Sequence, residues 1–305
     1  FRSYTGFTSD NFFTKNNFMN ILMNMSSRLV IALGIAGCVI TAGCDLSAGR
    51  MIGFGACISG MLLQRMDYSG KFFPDMQPLN VFVVALIAML VCAAFGTVTG
   101  FFIAYLNVPP FIATLAMMEI VYGIGLIVTN ATPLGGYVEQ YTNVSNGKFL
   151  GINYLIWIAI IVAAITWFIF NMTRHGKYMY AIGGNPQAAE VAGVPVKATL
   201  ILIYMKAAAM YGLAGFMLGA KAGGASVQTG YGYEMEAIAA CTIGGVSVTG
   251  GRGKVSSAII GVAVFELLKV ALQYLGMNAN AQYIAIGVVI FIAISLDIRK
   301  YIARK

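Results

Sequence analysis

The sequence predicts an all-α, polytopic membrane protein, and three observations carry that prediction. Hydrophobic residues make up 59% of the 305 and charged residues only 10%, whereas a soluble domain carries roughly 25% charge. Long apolar runs recur along the chain with short polar breaks between them. The 36 glycines supply small surfaces on which membrane helices can approach backbone to backbone.

Residues 1–27 mix Phe, Asn and Met in a weakly amphipathic pattern, which predicts an interfacial segment ahead of the first span. A lead-in without regular structure is the alternative. Leu29–Cys44 and Met51–Leu63 each fall short of the roughly 20 residues a straight span needs. A helix break or tight turn is therefore expected near Asp45–Arg50. Leu79–Leu106 and Phe111–Val128 read as spans joined by a very short turn at Asn107–Pro110. Ile152–Phe170 carries Trp157 and Trp167 toward its two ends, as an interfacial aromatic belt would. After the polar stretch Asn171–Lys197 come Thr199–Gly219, the small-residue run Glu234–Gly251, Val255–Leu275 and Gln282–Leu296. This gives about nine spans or broken spans within a membrane region 28–298, followed by a basic tail at 299–305.

The net charge of +8 is scattered among apolar runs. It forms no basic patch, so nucleic acid is excluded as a partner, and the excess reads as positive-inside topology. Counting back alternately from a cytoplasmic tail places Arg50, residues 171–197, Arg252 and Lys254 inside. Arg65, Lys71, Lys148 and Lys221 then fall outside, together with Phe1, which fits a first span lying ahead of this sequence.

Several function classes drop out. His175 is the only histidine, so histidine-based triads and His-rich metal sites are unavailable, and a headgroup-facing role is expected for it. The run Gly250–Ser256 fails the phosphate-loop pattern, because position 248 is Val and Val255 follows Lys254. No nucleotide, metal or other cofactor is expected. The five cysteines, Cys38, Cys44, Cys57, Cys92 and Cys241, lack metal-ligand spacing and read as packed thiols.

Four ionisable residues fall within spans: Glu119, Lys206, Glu266 and Lys269. Each needs a partner or water, since a charge in a bilayer costs a few kcal/mol. Glu266 and Lys269 can pair on one helix face. Glu119 and Lys206 sit at equal depth, roughly 12 Å from the cytoplasmic ends of their spans, and can pair between helices. The alternative is a snorkelling Lys206 and a protonated Glu119. Asp45, with Ser47 beside it, and Glu234 with Glu236 place carboxylates at helix breaks in each half of the chain. Two related halves with a pathway between them would show this pattern, although Asp45 is equally suited to cap a helix starting at Leu46.

Four stretches then resemble one family: Thr41–Gly49, Tyr105–Leu115, Tyr180–Val196 and Tyr233–Ser247. In order and in wording they resemble the permease subunits of carbohydrate ABC importers of the ribose, galactose and xylose type, most of all the galactose/methylgalactoside members. The resemblance implies a homodimer in a bacterial inner membrane, built from about ten spans per full-length chain. It also implies a partner ABC ATPase subunit and a periplasmic sugar-binding protein, with membrane lipid as surroundings. Within Asn171–Lys197 it implies a cytoplasmic coupling helix carried by Gly184, Asn185, Pro186, Ala188, Ala189 and Val194. Asn185 is able to cap that helix and Pro186 is tolerated in its first turn. Glu236 stands where the family usually has Asp, and the four intramembrane charges depart from its neutral pattern. A ribose, nucleoside or autoinducer importer of the same architecture is the rival within the family. An ion-coupled transporter using Glu119, Lys206 and Glu266 is the rival outside it.

Overall fold

The computed structural model describes residues 14–302, which form twelve α-helices and one two-residue β-hairpin. The helices are α1 (Lys15–Ile40), α2 (Ala48–Leu62), α3 (Val81–Tyr105), α4 (Pro110–Thr129), α5 (Glu139–Asn146) and α6 (Tyr154–Met172). They continue with α7 (Arg174–Gly184), α8 (Pro186–Val191), α9 (Val196–Ala222), α10 (Tyr233–Gly244), α11 (Val255–Tyr274) and α12 (Ala279–Ile302). Strands β1 (Lys148–Phe149) and β2 (Ile152–Asn153) pair antiparallel just before α6. Among the described residues six helices are long and apolar enough to cross a membrane: α1, α3, α4, α6, α9 and α11.

Polar punctuation sets these boundaries. Asn80 and Asn153 accept backbone N–H groups at the starts of α3 and α6, which satisfies donors that have no partner within the helix. Asn130, in the left-handed region at φ 50°, ends α4. The segment boundary expected at residue 27 is not a structural one. From Lys15 onward, that stretch is already the first part of α1, which Thr14 caps and which runs unbroken to Ile40 because no Pro interrupts it and no Gly occurs before Gly34. Residues 1–13 and 303–305, and with them parts of the expected lead-in and tail, lie outside the described residues.

The core is organised around α9, which packs against α1, α2 and α3. Its buried face presents Tyr204, Ala207, Ala208 and Tyr211. Gly55 of α2 meets Gly212 of α9 backbone to backbone, and a side chain at either position would collide with main-chain atoms. With no water-driven force between apolar helices in lipid, such close approach is what holds them together.

The two short helices share a starting point. The chain breaks at residues 41–47, and α2 begins at Ala48. In the second half, residues 223–232 enter from the α5 end, where Ala225 bridges Leu134. They then run down along α2, Val227 beside Gly53 and Gly230 beside Gly49, so that α10 begins beside the start of α2. From there the helices diverge. Gly60 of α2 reaches Tyr137 near α5, while Val246, just past α10, reaches Gly253 and Ile40 at the α7 end. Each half of the chain thus contributes one short helix that follows a break, and the two helices start side by side.

Candidate functional site

The break before α2 is tightly built. Asp45 is buried and its Oδ1 accepts from the Ser47 backbone N–H at 3.0 Å and from the Ser47 hydroxyl at 2.6 Å. This is the Asx-turn form of capping. Ser47 occupies the N-cap position without a side-chain cap bond, so the helix expected from Leu46 begins two residues later. Thr114 of α4 pins the break, accepting from the Leu46 N–H at 3.2 Å and donating to the Cys44 carbonyl at 3.3 Å. Glu234 in the first turn of α10 is 5% exposed. Its Oε2 lies against Gly49, where any side chain would collide with it. A carboxylate at two converging helix N-termini is electrostatically favoured.

Glu236, Glu266 and Lys269 meet in a different place and with a different partner from the one expected. Arg28 of α1 bridges Glu236 and Glu266, each at 3.0 Å from its Nη1. Lys269 pairs with Glu236 and not with Glu266, its neighbour on α11. Crossing between three helices lets Arg28 compensate two carboxylates at once, which an i,i+3 pair on one helix would not do. A polar cavity of about 200 Å³ lies beside them, lined also by Ser27, Lys221, Gln273 and Gln282.

Glu119 and Lys206 do not meet. Glu119 is exposed on α4, whereas Lys206 turns to the opposite side of the bundle, lining a small cleft with Phe170, His175 and Met179. Equal depth along two helices fixes neither helix's rotation, and rotation separates these residues. His175, in the first turn of α7, is half-buried in that cleft instead of facing the surroundings. Burial first, and the Lys206 charge second, lower its pKa to about 4, so it is neutral near pH 7.

Helices α7 and α8 form a hinged pair at the end of the bundle. Asn185 Oδ1 accepts from the Ala188 N–H at 3.0 Å and Pro186 occupies the first turn of α8. Gly184, Asn185, Pro186 and Ala188 are exposed, and Val194 is partly so. Ala189, expected on the docking face, is instead 5% exposed and accepts from the Val194 N–H at 3.0 Å. A six-residue helix that folds back through Gly193 (φ 84°) must bury one of its faces. The opposite face carries Val191, 91% exposed, which lies within the stretch read as docking but was not singled out there. The signal was there: an apolar residue two positions from Ala189 points to the other side of a short helix.

Behind α8, α7 is fastened to both halves. Gly183 packs so closely on Ile40 that a Cβ would collide with its carbonyl oxygen. Tyr180 donates to the Gly253 carbonyl at 2.7 Å, and the Gly251 N–H donates to the Ile40 carbonyl at 2.8 Å. Movement of α7 would therefore be felt at the end of α1, next to the break at Asp45, and at the loop that follows α10.

The described residues hold no group of three or more His, Cys, Asp or Glu side chains able to bind a metal ion. The cysteines are free, and all but Cys44 are buried.

Comparison with known proteins adds the family. Residues 17–294 match the family model described as branched-chain amino acid transport system / permease component. The chain is 41% identical over 98% of its length to the galactose/methyl galactoside import permease protein MglC of Escherichia coli (strain K12), covering 91% of that protein. It is 43% identical over 95% of its length to the protein of the same name from Haemophilus influenzae, covering 88% of it. To the ribose import permease protein RbsC of Escherichia coli (strain K12) it is 33% identical over 96% of its length, covering 88% of that protein. No solved structure matches the chain. With six apolar helices of spanning length and a family match across nearly the whole sequence, the chain belongs to the multi-pass inner-membrane permease subunits of carbohydrate ABC importers.

Proposed function

We propose that this permease imports galactose or a methyl galactoside, as a homodimer driven by a separate ABC ATPase and supplied by a periplasmic sugar-binding protein. The names of the relatives support the substrate. The partner roles are supported by one observation above the others, the exposed α8 with Val191 at its tip, joined through α7 to Ile40 and to Gly251 and Gly253. In this reading Gly184, Asn185, Pro186, Ala188, Val191 and Val194 meet the ATPase, and closure of the ATPase subunits pushes α7 against both halves. The chain itself hydrolyses nothing. Helices α2 and α10 act as broken spans among about ten in the full-length protein, and Asp45, Ser47, Glu234 and Glu236 stand at or beside the pathway. Arg174 and Lys177, both exposed, anchor at the lipid headgroups.

The test is uptake of labelled methyl galactoside into liposomes. Uptake should require the permease, ATPase, binding protein and ATP together. Transport by the permease alone under an ion gradient would overturn this reading in favour of an ion-coupled carrier.

A further inference from the structure

Arg50 was expected among the cytoplasmic charges, but it lies inside the fold. It projects from the first turn of α2 against the re-entering segment 223–232. Its guanidinium sits 3.9 Å from the centroid of the Tyr122 ring and 4.5 Å from that of Tyr231. Nη1 donates to Gln228 Oε1 at 2.8 Å, and Gln228 Nε2 lies 3.0 Å from the Tyr122 hydroxyl, donating to it. These four side chains hold one another in place before any solute arrives.

Their position is unusual for a membrane protein. Tyr122 is twelve residues into α4, about 18 Å from its start, so the cluster lies well away from either end. Yet Gln228 is exposed and Tyr231 is 63% exposed. Glu119, also exposed, precedes Tyr122 by three residues and shares its side of α4. A guanidinium, an amide and a carboxylate on one open face at that depth are costly against hydrocarbon. Water on that face removes the cost. Behind the cluster, buried Glu234 Oε2 and the Arg50 Nε lack a hydrogen-bond partner, which leaves polar capacity unused.

We infer that Arg50, Tyr122, Gln228 and Tyr231 form a contact site for a neutral polyhydroxylated solute, a sugar ring in transit. This deepens the permease reading and rests on it. The open face of Tyr231 offers a surface for the C–H groups of a sugar, while Gln228 and Arg50 offer donors and an acceptor for its hydroxyls. Buried Glu234, whose carboxylate lies against Gly49 next to Arg50, offsets the Arg50 charge, so the site carries no surplus positive charge to trap an anion. Contacts this open suit a solute that must leave again.

The experiment uses the complete transporter in liposomes, with ATPase and binding protein. Tyr231→Leu and Gln228→Ala should each lower methyl galactoside uptake per ATP hydrolysed by about tenfold. In the same complex, Gln228→Cys should react with a water-soluble thiol reagent above the background of the native cysteines, and methyl galactoside should slow that reaction about threefold or more. Wild-type rates of uptake per ATP in both variants would overturn the site while leaving the permease reading intact. So would a Gln228→Cys that does not react, or that is protected by a sugar acid or a monovalent cation and not by the neutral sugar. If the wild-type protein takes up no sugar with all partners present, the permease reading falls and the site falls with it.

Discussion

The α7–α8 hairpin and the meeting point of α2 and α10 are built on opposite principles. The hairpin is polar, short-helical and largely exposed, and its main contacts are a few close backbone approaches to Ile40 and Gly251. The meeting point is buried, broken twice, and filled with groups that hydrocarbon disfavours: Asp45, Glu234 and, through Glu236 in the same turn of α10, the Arg28 network. In the first region a substitution should change what the protein touches. In the second it should change whether the protein folds.

The largest test of that contrast is Arg28→Gln. It leaves Glu236 and Glu266 facing one another with Lys269 paired to Glu236 and Lys221 across the cavity, and removing one member of a buried ionic set costs about 3–5 kcal/mol. The folded fraction in detergent, read by size-exclusion chromatography, should collapse. Arg28→Gln combined with Glu266→Gln should recover part of it. Equal loss in both would show that the network is not a coupled unit.

Gly183→Val should come next, at about 1–3 kcal/mol for overpacking, because its new side chain must displace the Ile40 carbonyl. This variant sharpens the contrast, since it places a stability effect at a part of the hairpin that is packed as tightly as the core. A melting temperature within a degree of the wild type would mean that α7 is free to shift, and the link from α8 to α1 would be lost.

Val191→Asp should leave the melting temperature unchanged, because the residue touches almost nothing. Loss of a buried apolar contact and burial of a charge at an interface together should weaken ATPase binding about tenfold or more. Pull-down of the ATPase by the variant at wild-type strength would remove Val191 from the docking face. Ala189→Glu is the informative companion. It should lower stability, because Ala189 supports the fold of α8 from inside.

The smallest effect concerns His175. Its folded pKa of about 4 lies below the usual 6.5, so the unfolded chain takes up a proton that the folded chain refuses. The contribution is fully present above about pH 6.5 and is lost as pH falls toward 4. His175→Gln should therefore flatten the decline of melting temperature over that window. Lys206→Met should raise the titration midpoint only in part, since burial is the larger cause and the lysine charge the second. A midpoint that stays near 6.5 in the wild-type protein, followed by NMR, would show that the imidazole is solvated.

The sequence by itself determined the class, long apolar helices such as α3, α4, α6, α9 and α11, the break near Asp45, the Asn185–Pro186 helix start and the family. All of these rest on local pattern. A run of apolar residues measures its own length, a capping Asn needs only its own next turn, and a motif is read without knowing what it packs against. Relations between distant segments were decided by the tertiary structure. Helix rotation sent Glu119 and Lys206 to different sides, gave Lys269 to Glu236, set Arg28 between Glu236 and Glu266, and turned Ala189 inward and Val191 outward. The re-entry of residues 223–232 was equally invisible, because a polar loop looks the same whether it crosses the surface or descends along α2. That descent brought Gln228 and Tyr231 to Arg50, and set the starts of α2 and α10 side by side.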